Sequence, residues 1–229
     1  MAGLAVICGA TGALGSAIVE TFAARGDQVI AVARSRSEVS KLEGLFPGQV
    51  RGDTADLTSR LEVDDLWSRI DALGTPLWLV NATGGFKAGR VIDTTPDDYQ
   101  FMLNLNLATA WWSCRAAARR MQVAGAGAIV NVSSRSGVSA DGGAAAYSIA
   151  KAGVLKLTEV LAAELKASGV RVNAVIPSII DTAANRKSMP EKLLEQAVPP
   201  LQIAQVIAFL CSDAAKAVTG VGVPVYGVS

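Results

Sequence analysis

The sequence contains no histidine, and this absence removes a large part of the usual catalytic repertoire. Ser-His-Asp and Cys-His nucleophilic centres, histidine metal ligands and histidine acid–base catalysis are excluded. Cysteine is also scarce: Cys8, Cys114 and Cys211 are far apart, odd in number and set in apolar surroundings. This pattern favours reduced thiols over a disulfide framework or a zinc site. We therefore expect a cytoplasmic protein without a metal centre.

An excess of charge of one sign is missing as well. The formal net charge is +1, and Lys and Arg are scattered along the chain, so the basic patch of a nucleic-acid-binding protein is absent. Uncharged residues run from Met1 to Val19, but Gly9, Gly12 and Gly15 interrupt this stretch, and no Lys or Arg precedes it as in a secretory signal. We expect no nucleic-acid partner, no membrane span and a small-molecule substrate.

Apolar residues are abundant, at 51% of 229 positions, against 18% charged residues. This balance supplies a large core and argues against long disordered segments. One sheet with helices on both faces can use this length in one core. We therefore predict a single domain over residues 1–229.

Apolar runs of strand length alternate along the chain with segments of helical periodicity. Strands are predicted at Gly3 to Cys8, Gln28 to Ala33, around Val50, Leu77 to Val80, Ala128 to Val132, Val170 to Ile176 and Val221 to Val225. Helices are predicted from Ala13 onward and at Leu61 to Leu73, Tyr99 to Val123, Tyr147 to Ala167 and Gln202 to Cys211. Because parallel neighbours need crossover connections, this alternation predicts a doubly wound, mostly parallel α/β sheet, a Rossmann fold, with about seven strands.

A glycine-rich turn joins the first predicted strand to the first predicted helix. It reads Gly9-Ala10-Thr11-Gly12-Ala13-Leu14-Gly15. Glycines at this place permit a tight turn and the close approach of a pyrophosphate, which the N-terminus of the helix would face. Glycines also build ordinary turns and helix caps, but the position in a first strand-helix-strand unit favours dinucleotide binding.

The end of the second strand bears on the choice of dinucleotide. An acidic residue there would bind the ribose 2′-hydroxyl of NAD and repel a 2′-phosphate. The chain has Ala33 at this point, followed by Arg34 and Arg36, which can pair with a phosphate. NADP(H) is therefore favoured over NAD(H). The alternative is that both arginines are solvated loop residues.

Tyr147 and Lys151 are four residues apart in a predicted helix and so share one face of it. An adjacent ammonium favours the phenolate and lowers the pKa of a tyrosine, which suits acid–base chemistry without histidine. Ser134 precedes Tyr147 at the end of a predicted central strand, where ligands meet open α/β sheets. Its hydroxyl could bind a substrate carbonyl oxygen. The spacing alone is common on helix surfaces, and the context supplied by Ser134 favours a catalytic centre.

These motifs, in order and spacing, resemble the short-chain dehydrogenase/reductase superfamily, and the resemblance covers essentially the whole chain. Its residues are Cys8 to Gly15, Asn81-Ala82, Asn106, Ser133-Ser134, Tyr147-Ser148-Ile149-Ala150-Lys151, Val172 to Pro177, Asp181-Thr182, Leu210 to Asp213 and Val218 to Gly220. Departures include Cys8 in place of the usual threonine, Ala13 and Ser178 in place of glycines, and the form of Asn81 to Gly85.

The resemblance implies a role for each matching residue. Tyr147 would be the general acid in reduction, Ser134 would orient the carbonyl, Lys151 would lower the pKa of the tyrosine and hold the nicotinamide ribose, and Asn106 would organise a proton-relay water. Asp56 would contact adenine and Thr182 the nicotinamide carboxamide. The full set of implied cofactor contacts is Gly9, Thr11, Gly12, Leu14, Gly15, Arg34, Arg36, Asp56, Leu57, Asn81, Ala82, Tyr147, Lys151, Pro177, Ile180 and Thr182.

The leading hypothesis is an oxidoreductase that transfers hydride between NADP(H) and a carbonyl or alcohol. Phe86, beyond the fourth strand, and Arg135, beside Ser134, are candidate substrate residues. The segments Gly12 to Gly15 and Asp181 to Pro190 are similar to the dihydropteridine reductase branch, so reduction of a pterin is the alternative. A dinucleotide-binding sensor or scaffold without turnover is the non-enzyme alternative. The resemblance also implies a homodimer or homotetramer formed through the helices that contain Trp112 and Val154.

Overall fold

The computed structural model describes residues 3–139 and 142–227. Within them seven strands form one parallel sheet in the order β3-β2-β1-β4-β5-β6-β7. The strands are β1 (Leu4–Cys8), β2 (Gln28–Ala33), β3 (Val50–Thr54), β4 (Trp78–Asn81), β5 (Gly127–Val132), β6 (Val170–Pro177) and β7 (Gly222–Val225). The predicted doubly wound Rossmann fold is confirmed.

Helices connect the strands and cover both faces of the sheet. They are α1 (Ala13–Ala24), α2 (Arg36–Leu45), α3 (Arg60–Asp71), α4 (Pro96–Leu103), α5 (Thr109–Ala124), α6 (Ala145–Leu165), α7 (Ala183–Ser188), α8 (Glu191–Leu194) and α9 (Pro200–Leu210). A π-helical segment, Asn104–Ala108, joins α4 to α5. In the part of the chain that the structure describes, no helix has the length and apolarity needed to cross a membrane.

Two hydrophobic layers hold the helices against the sheet. Alternate residues of β1 face opposite layers, so Ala5 and Ile7 lie in one and Val6 and Cys8 in the other. The first layer is filled from α1 and α9, for example by Phe22, and the second from α3, α5 and α6. Because every central strand is buried on both faces, strands such as VIC and AIV are continuous apolar runs rather than alternating ones.

The sequence missed α2, which follows β2 directly. Its start carries a capping signal, since the Ser35 hydroxyl accepts a hydrogen bond from the backbone N–H of Glu38. Only Val39 and Leu42 of α2 are buried, so its hydrophobic stripe is short. The single helix predicted over Tyr99 to Val123 is three consecutive segments, α4, the π-helical segment and α5.

The chain reverses its direction of travel across the sheet between β1 and β4, which are neighbours although β2 and β3 intervene in sequence. Connections leave these two strands toward opposite sides. A crevice therefore opens beyond their carboxyl ends, the place where doubly wound sheets bind ligands.

Candidate active site

A cavity of about 360 Å³ lies in this crevice. Its lining comes from the loops that follow β1, β2, β3 and β4, together with the segment before α5. The residues are Gly9, Thr11, Gly12, Ala33, Arg34, Ser35, Glu38, Ala55, Asp56, Leu57, Thr58, Ala82, Thr83, Gly84, Leu105 and Thr109. Of the predicted cofactor residues, the turn, the end of β2 and the Asp56-Leu57 pair are brought together here.

The glycine turn forms one wall of the cavity. Gly9 has a φ of +77°, and a Cβ there would lie 2.7 Å from the backbone nitrogen of Thr83. A Cβ on Gly15 would lie 2.0 Å from the carbonyl oxygen of Gly9, so the first turn of α1 packs directly on the loop. Leu14 is buried in the core beneath the turn. Within residues 3–139 and 142–227 no side chain caps α1 at Gly12, so its first N–H groups are available to an anion.

The two predicted phosphate-binding arginines differ in position. Arg34 lines the cavity. Arg36 instead donates to the carbonyl oxygen of Gly52 at 2.7 Å and to Glu43 at 2.8 Å. The guanidinium of Arg36 is thus bound to residues of α2 and β3 and does not line the cavity. It also adds Glu38, a carboxylate on α2 that shares the cavity wall with Arg34.

Asp56, for which the resemblance implies a contact to adenine, lines the cavity. Its carboxylate accepts the hydroxyl of Thr58 at 2.7 Å and the backbone N–H of Thr58 at 2.9 Å. These hydrogen bonds, and to a lesser degree the positive charge of Arg34, hold the pKa of Asp56 below its usual value. The carboxylate is therefore ionised and fixed in direction.

At the end of β4, Asn81 is buried in the core and Thr83 lies at the cavity. Asn81 is buried and donates to Asn131 at 2.8 Å and to the Cys114 sulfur at 3.3 Å, so it braces neighbouring strands. Ala82 and Thr83 line the cavity. The buried hydroxyl of Thr83 has no hydrogen-bond partner among the described residues.

These features fit a dinucleotide. The open N-terminus of α1 and the glycine turn suit a pyrophosphate, and the Asp56 carboxylate suits a hydrogen-bond donor.

The end of β5 and the start of α6 bring together Ser134, Tyr147 and Lys151. The Ser134 side chain hydrogen-bonds to the Tyr147 phenol. The ammonium nitrogen of Lys151 lies 5.8 Å from the centre of the Tyr147 ring. It donates to the carbonyl oxygen of Val132 at 2.9 Å, while the hydroxyl of Ser133 donates to the carbonyl oxygen of Lys151 at 2.8 Å. Strand β5 and helix α6 are thereby locked together beneath the phenol.

Burial decides the protonation of this pair. It raises the pKa of Tyr147, and the hydrogen bond from Ser134 only partly offsets this. Burial lowers the pKa of Lys151 to about 8. The expected lowering of the tyrosine pKa by Lys151 is not found, because the desolvation of the phenol is the larger effect. At neutral pH the pair is a neutral phenol and an ammonium, which is the protonation that a proton donor requires.

Asn106 lies in the π-helical segment, a form of helix that is frequent at functional sites. Its amide oxygen accepts the N–H of Gly85 at 3.1 Å, and its amide nitrogen donates to the carbonyl oxygen of Gly85 at 3.0 Å. A Cβ on Gly84 would lie 2.8 Å from the Asn106 amide oxygen and 3.1 Å from the Lys151 nitrogen. Gly84 therefore lies in the cavity wall directly against Asn106 and Lys151, with no room for a side chain between them.

Two candidate substrate residues flank the hydroxyls. The ring of Phe86 meets the Tyr147 ring edge to face, with centres 5.2 Å apart, and remains 63% exposed. The guanidinium of Arg135 stacks on the ring of Tyr226, 5.3 Å from its centre. Phe86 thus forms an apolar side of the space next to the Tyr147 phenol. Arg135 forms a positively charged side of it.

Pro177, Ile180 and Thr182 lie further along the same edge of the sheet. Pro177 ends β6, Ile180 forms an isolated bridge with Val198, and Thr182 caps α7 by accepting the N–H of Asn185 at 3.1 Å. This segment stands beside the cavity wall rather than in it. Part of the Gly137 to Ala146 segment that precedes Tyr147, residues 140 and 141, lies outside the described residues.

A separate groove of about 580 Å³ runs between the outer faces of α5 and α6. Trp111, half exposed, lines it. The helices that the resemblance implies for subunit contact are therefore the ones with an open apolar face, although Trp112 and Val154 themselves do not line it. Trp112 packs against the core and Val154 is 1% exposed, because each is rotated away from the groove around its helix.

Sequence reasoning missed several lining residues, namely Thr83, Gly84, Glu38, Thr58 and Thr109. Glu38 was missed with α2, although Ser35 and Glu38 have the spacing of a helix start. Thr58, two residues after Asp56, has the spacing of a local turn in which a side chain caps the backbone. Thr109 is four residues after Leu105, and the two share one helix face at the cavity.

Known proteins resemble the chain over nearly its full length. A family model described as short chain dehydrogenase matches residues 3–193. The meso-2,3-butanediol dehydrogenase of Serratia marcescens is 31% identical over 97% of this chain and 92% of its own. A 3-oxoacyl-acyl-carrier-protein reductase of Thermotoga maritima is 33% identical over 94% and 92%, respectively.

Solved structures agree with the sequence relatives. A short-chain dehydrogenase/reductase from Burkholderia xenovorans superposes with a TM-score of 0.92 at 31% identity, covering 98% of this chain and 95% of that one. Another protein of the short-chain dehydrogenase/reductase family gives a TM-score of 0.91 at 28% identity, covering 97% and 94%. Fold, crevice, family model and relatives lead to one conclusion. The chain belongs to the short-chain dehydrogenase/reductase superfamily of oxidoreductases.

Proposed function

We propose that this protein transfers hydride between NADP(H) and a small carbonyl or alcohol, with Tyr147 as the general acid and base. The observation that carries the proposal is the Tyr147 phenol, hydrogen-bonded to Ser134 and standing over the buried Lys151. A proton donor, a hydroxyl that can bind oxygen and a positive charge meet behind Gly84, which lines the cavity. The relatives from S. marcescens and T. maritima are named for an alcohol and an oxo compound, which also favours this chemistry.

The cofactor preference rests on the end of β2. Ala33 leaves this strand end without a carboxylate, and Arg34 supplies a cation to the cavity wall. Glu38 opposes an added 2′-phosphate, so the preference for NADP(H) depends on Arg34 outweighing it. The pyrophosphate would bind the N-terminus of α1, and the reduced nicotinamide, once bound, supplies the hydride.

The proton is handled by the side chains of the chain itself. Ser134 and Tyr147 would both hydrogen-bond the substrate carbonyl oxygen, and Tyr147 would donate its proton to the oxygen as it becomes an alkoxide. The ammonium of Lys151 would stabilise the phenolate that remains. In the direction of oxidation the same phenolate would accept the proton of the alcohol.

We also propose that a second copy of the chain covers the groove between α5 and α6. Apolar side chains including Trp111, Leu157 and Val160 form its floor, while Arg119, Lys156 and Glu164 bring both signs of charge to it. A face that carries both charges beside an apolar centre can match itself across a twofold axis. The assembly is proposed to be a homodimer or a homotetramer that contains this contact.

Replacement of one hydroxyl tests the proposed chemistry. In steady-state assays of NADPH absorbance with a panel of ketones, Tyr147→Phe is expected to lose roughly 10²- to 10⁴-fold in kcat, because the proton donor is removed. NADPH binding, measured by calorimetry, should persist, and NADH should support slower turnover. Tyr99→Phe is the matched control, since Tyr99 is an exposed tyrosine on α4.

Three results would contradict the proposal. Unchanged kcat in Tyr147→Phe would remove the acid–base role. Turnover of a quinonoid dihydropterin and of none of the ketones would move the protein to pterin reduction. Tight NADPH binding without turnover of any carbonyl, alcohol or pterin would make it a dinucleotide-binding protein rather than an enzyme.

A further inference from the structure

Arg135 reaches across the carboxyl edge of the sheet from one side of the opening to the other. It follows Ser134 directly at the end of β5. Its guanidinium carbon lies 5.3 Å from the centre of the Tyr226 ring, and Tyr226 follows β7. Since β6 separates β5 from β7 in the sheet, the Arg135 side chain extends over the end of β6.

This direction leads away from the dinucleotide cavity. That cavity lies over the ends of β2, β1 and β4, on one side of β5. Arg135 extends toward β6 and β7, on the other side. The hydroxyls of Ser134 and Tyr147 stand between the two regions, so a molecule held against them opposite the dinucleotide would lie beside Arg135.

The charge of Arg135 is not neutralised by the protein. Across residues 3–139 and 142–227, Arg135 forms no salt bridge, as is also the case for Arg34, Arg51, Arg119 and Arg171, whereas an acidic partner holds each of Arg25, Arg36, Arg60, Arg69, Arg90, Arg115, Arg120 and Arg186. The carboxylate of Asp181, near the end of β6, is taken by the guanidinium of Arg186 through contacts of 2.5 and 2.6 Å. An anion arriving beside Arg135 would therefore meet an uncompensated cation.

The Tyr226 ring gives the Arg135 guanidinium an aromatic neighbour rather than an acidic one. A cation over an aromatic ring is attracted to it without losing its N–H donors. These donors can bind the two oxygens of a carboxylate with two parallel hydrogen bonds. Because Arg135 follows Ser134 directly, its side chain starts beside the proposed carbonyl-binding hydroxyl.

We propose that Arg135, held by Tyr226, binds a carboxylate on the substrate, so that the preferred substrates are oxo acids or hydroxy acids rather than neutral ketones or alcohols. The proposal rests on the proposed function, of which it specifies the substrate class. The apolar ring of Phe86 on the other side of the phenol would face the remaining, uncharged end of such a substrate.

Matched substrates test the proposal. The rate of NADPH consumption is measured with aliphatic oxo carboxylates of increasing chain length, each beside its methyl ester. For at least one length, kcat/KM for the acid should exceed that for the ester roughly tenfold or more, and Arg135→Gln should reduce this ratio by roughly ten- to a hundredfold, mainly through KM. Arg135→Lys should give an intermediate ratio, because it keeps the charge and loses the planar fork.

The control is Arg51→Gln, which removes an exposed arginine from β3 at the opposite edge of the sheet and should leave the ratio unchanged. An acid-to-ester ratio that is the same in the native protein and in Arg135→Gln would overturn the proposal while the carbonyl chemistry stands. If no carbonyl is consumed, calorimetric titration of the NADPH-bound protein with 4-oxopentanoate decides: binding that Arg135→Gln abolishes supports the carboxylate site, and absence of binding refutes it.

Discussion

Lys151 is a charged side chain placed where water cannot solvate it. Only 4% of it is exposed, and its ammonium is held by the carbonyl oxygen of Val132. The spacing from Tyr147 could be predicted from the sequence, because residues four apart share a helix face. The burial could not, since it results from the packing of Gly84 and the end of β5 around the ammonium, which are distant in sequence.

The lowered pKa of Lys151, about 8, predicts the pH dependence of the reaction. Lys151 is an ammonium below this pH and neutral above it, whereas the raised pKa of Tyr147 keeps the phenol protonated through the same range. In carbonyl reduction kcat/KM should therefore fall as the pH rises through 8, because the charge that stabilises the phenolate is lost. A pH profile of NADPH oxidation measures this.

The variant Lys151→Met tests whether loss of the Lys151 charge causes the decline in kcat/KM. The variant should have a low kcat/KM at every pH and should lack the decline near pH 8 that the lysine produces. Persistence of the same decline in the variant would assign it to another group, and a native profile that stays flat well above pH 8 would contradict the role given to the ammonium.

At the scale of single elements, the sequence predicts the buried strands best. The run Gln28 to Ala33 was placed at the bounds that the structure shows, because a strand buried on both faces must be apolar throughout. Helix α2 was missed because it buries only two side chains. The π-helical segment could not be read from the sequence either, because the hydrogen bonds of Asn106 to Gly85 come from another loop.

The start of α1 gives a prediction at this scale. Gly15→Ala would place a Cβ 2.0 Å from the carbonyl oxygen of Gly9, so α1 must move away from the turn. We expect a loss of roughly 1–3 kcal/mol in the free energy of unfolding and a raised KM for NADPH. Chemical denaturation and cofactor titration measure the two effects.

Gly44→Ala is the matched control within another helix. A Cβ at Gly44 has no heavy atom within 4 Å. The substitution should stabilise the protein by roughly 0.4–1 kcal/mol, because alanine loses less backbone freedom on folding than glycine. Equal effects of the two substitutions would show that the contact of α1 with the turn is unimportant.

For the whole molecule, the alternation of strands and helices predicted the parallel sheet and the crevice at its carboxyl edge. The contacts that join distant elements could not be predicted in this way. The Arg36–Glu43 and Arg135–Tyr226 contacts depend on side-chain directions after each loop has folded. Helix packing likewise decides that Trp111 lines the groove between α5 and α6 while Trp112 packs against the core.

The proposed assembly predicts a change in mass. Trp111→Glu would put a carboxylate into the apolar centre of the groove, so the dissociation constant of the subunit contact should rise roughly thirtyfold or more. Light scattering during size-exclusion chromatography should show smaller particles at low concentration. Leu45→Glu, on the exposed face of α2, should keep the native mass. A native protein that is monomeric at all concentrations would contradict the assembly.

Gly84 limits how far the nucleotide cavity and the proton-transfer residues can change separately during evolution. Its missing side chain leaves the nucleotide compartment and the proton-handling groups separated by a partition one backbone thick, with Asn106 and Lys151 immediately behind it. Any methyl group added at this place would press on both neighbours simultaneously. Cofactor fit and proton transfer are therefore coupled at position 84.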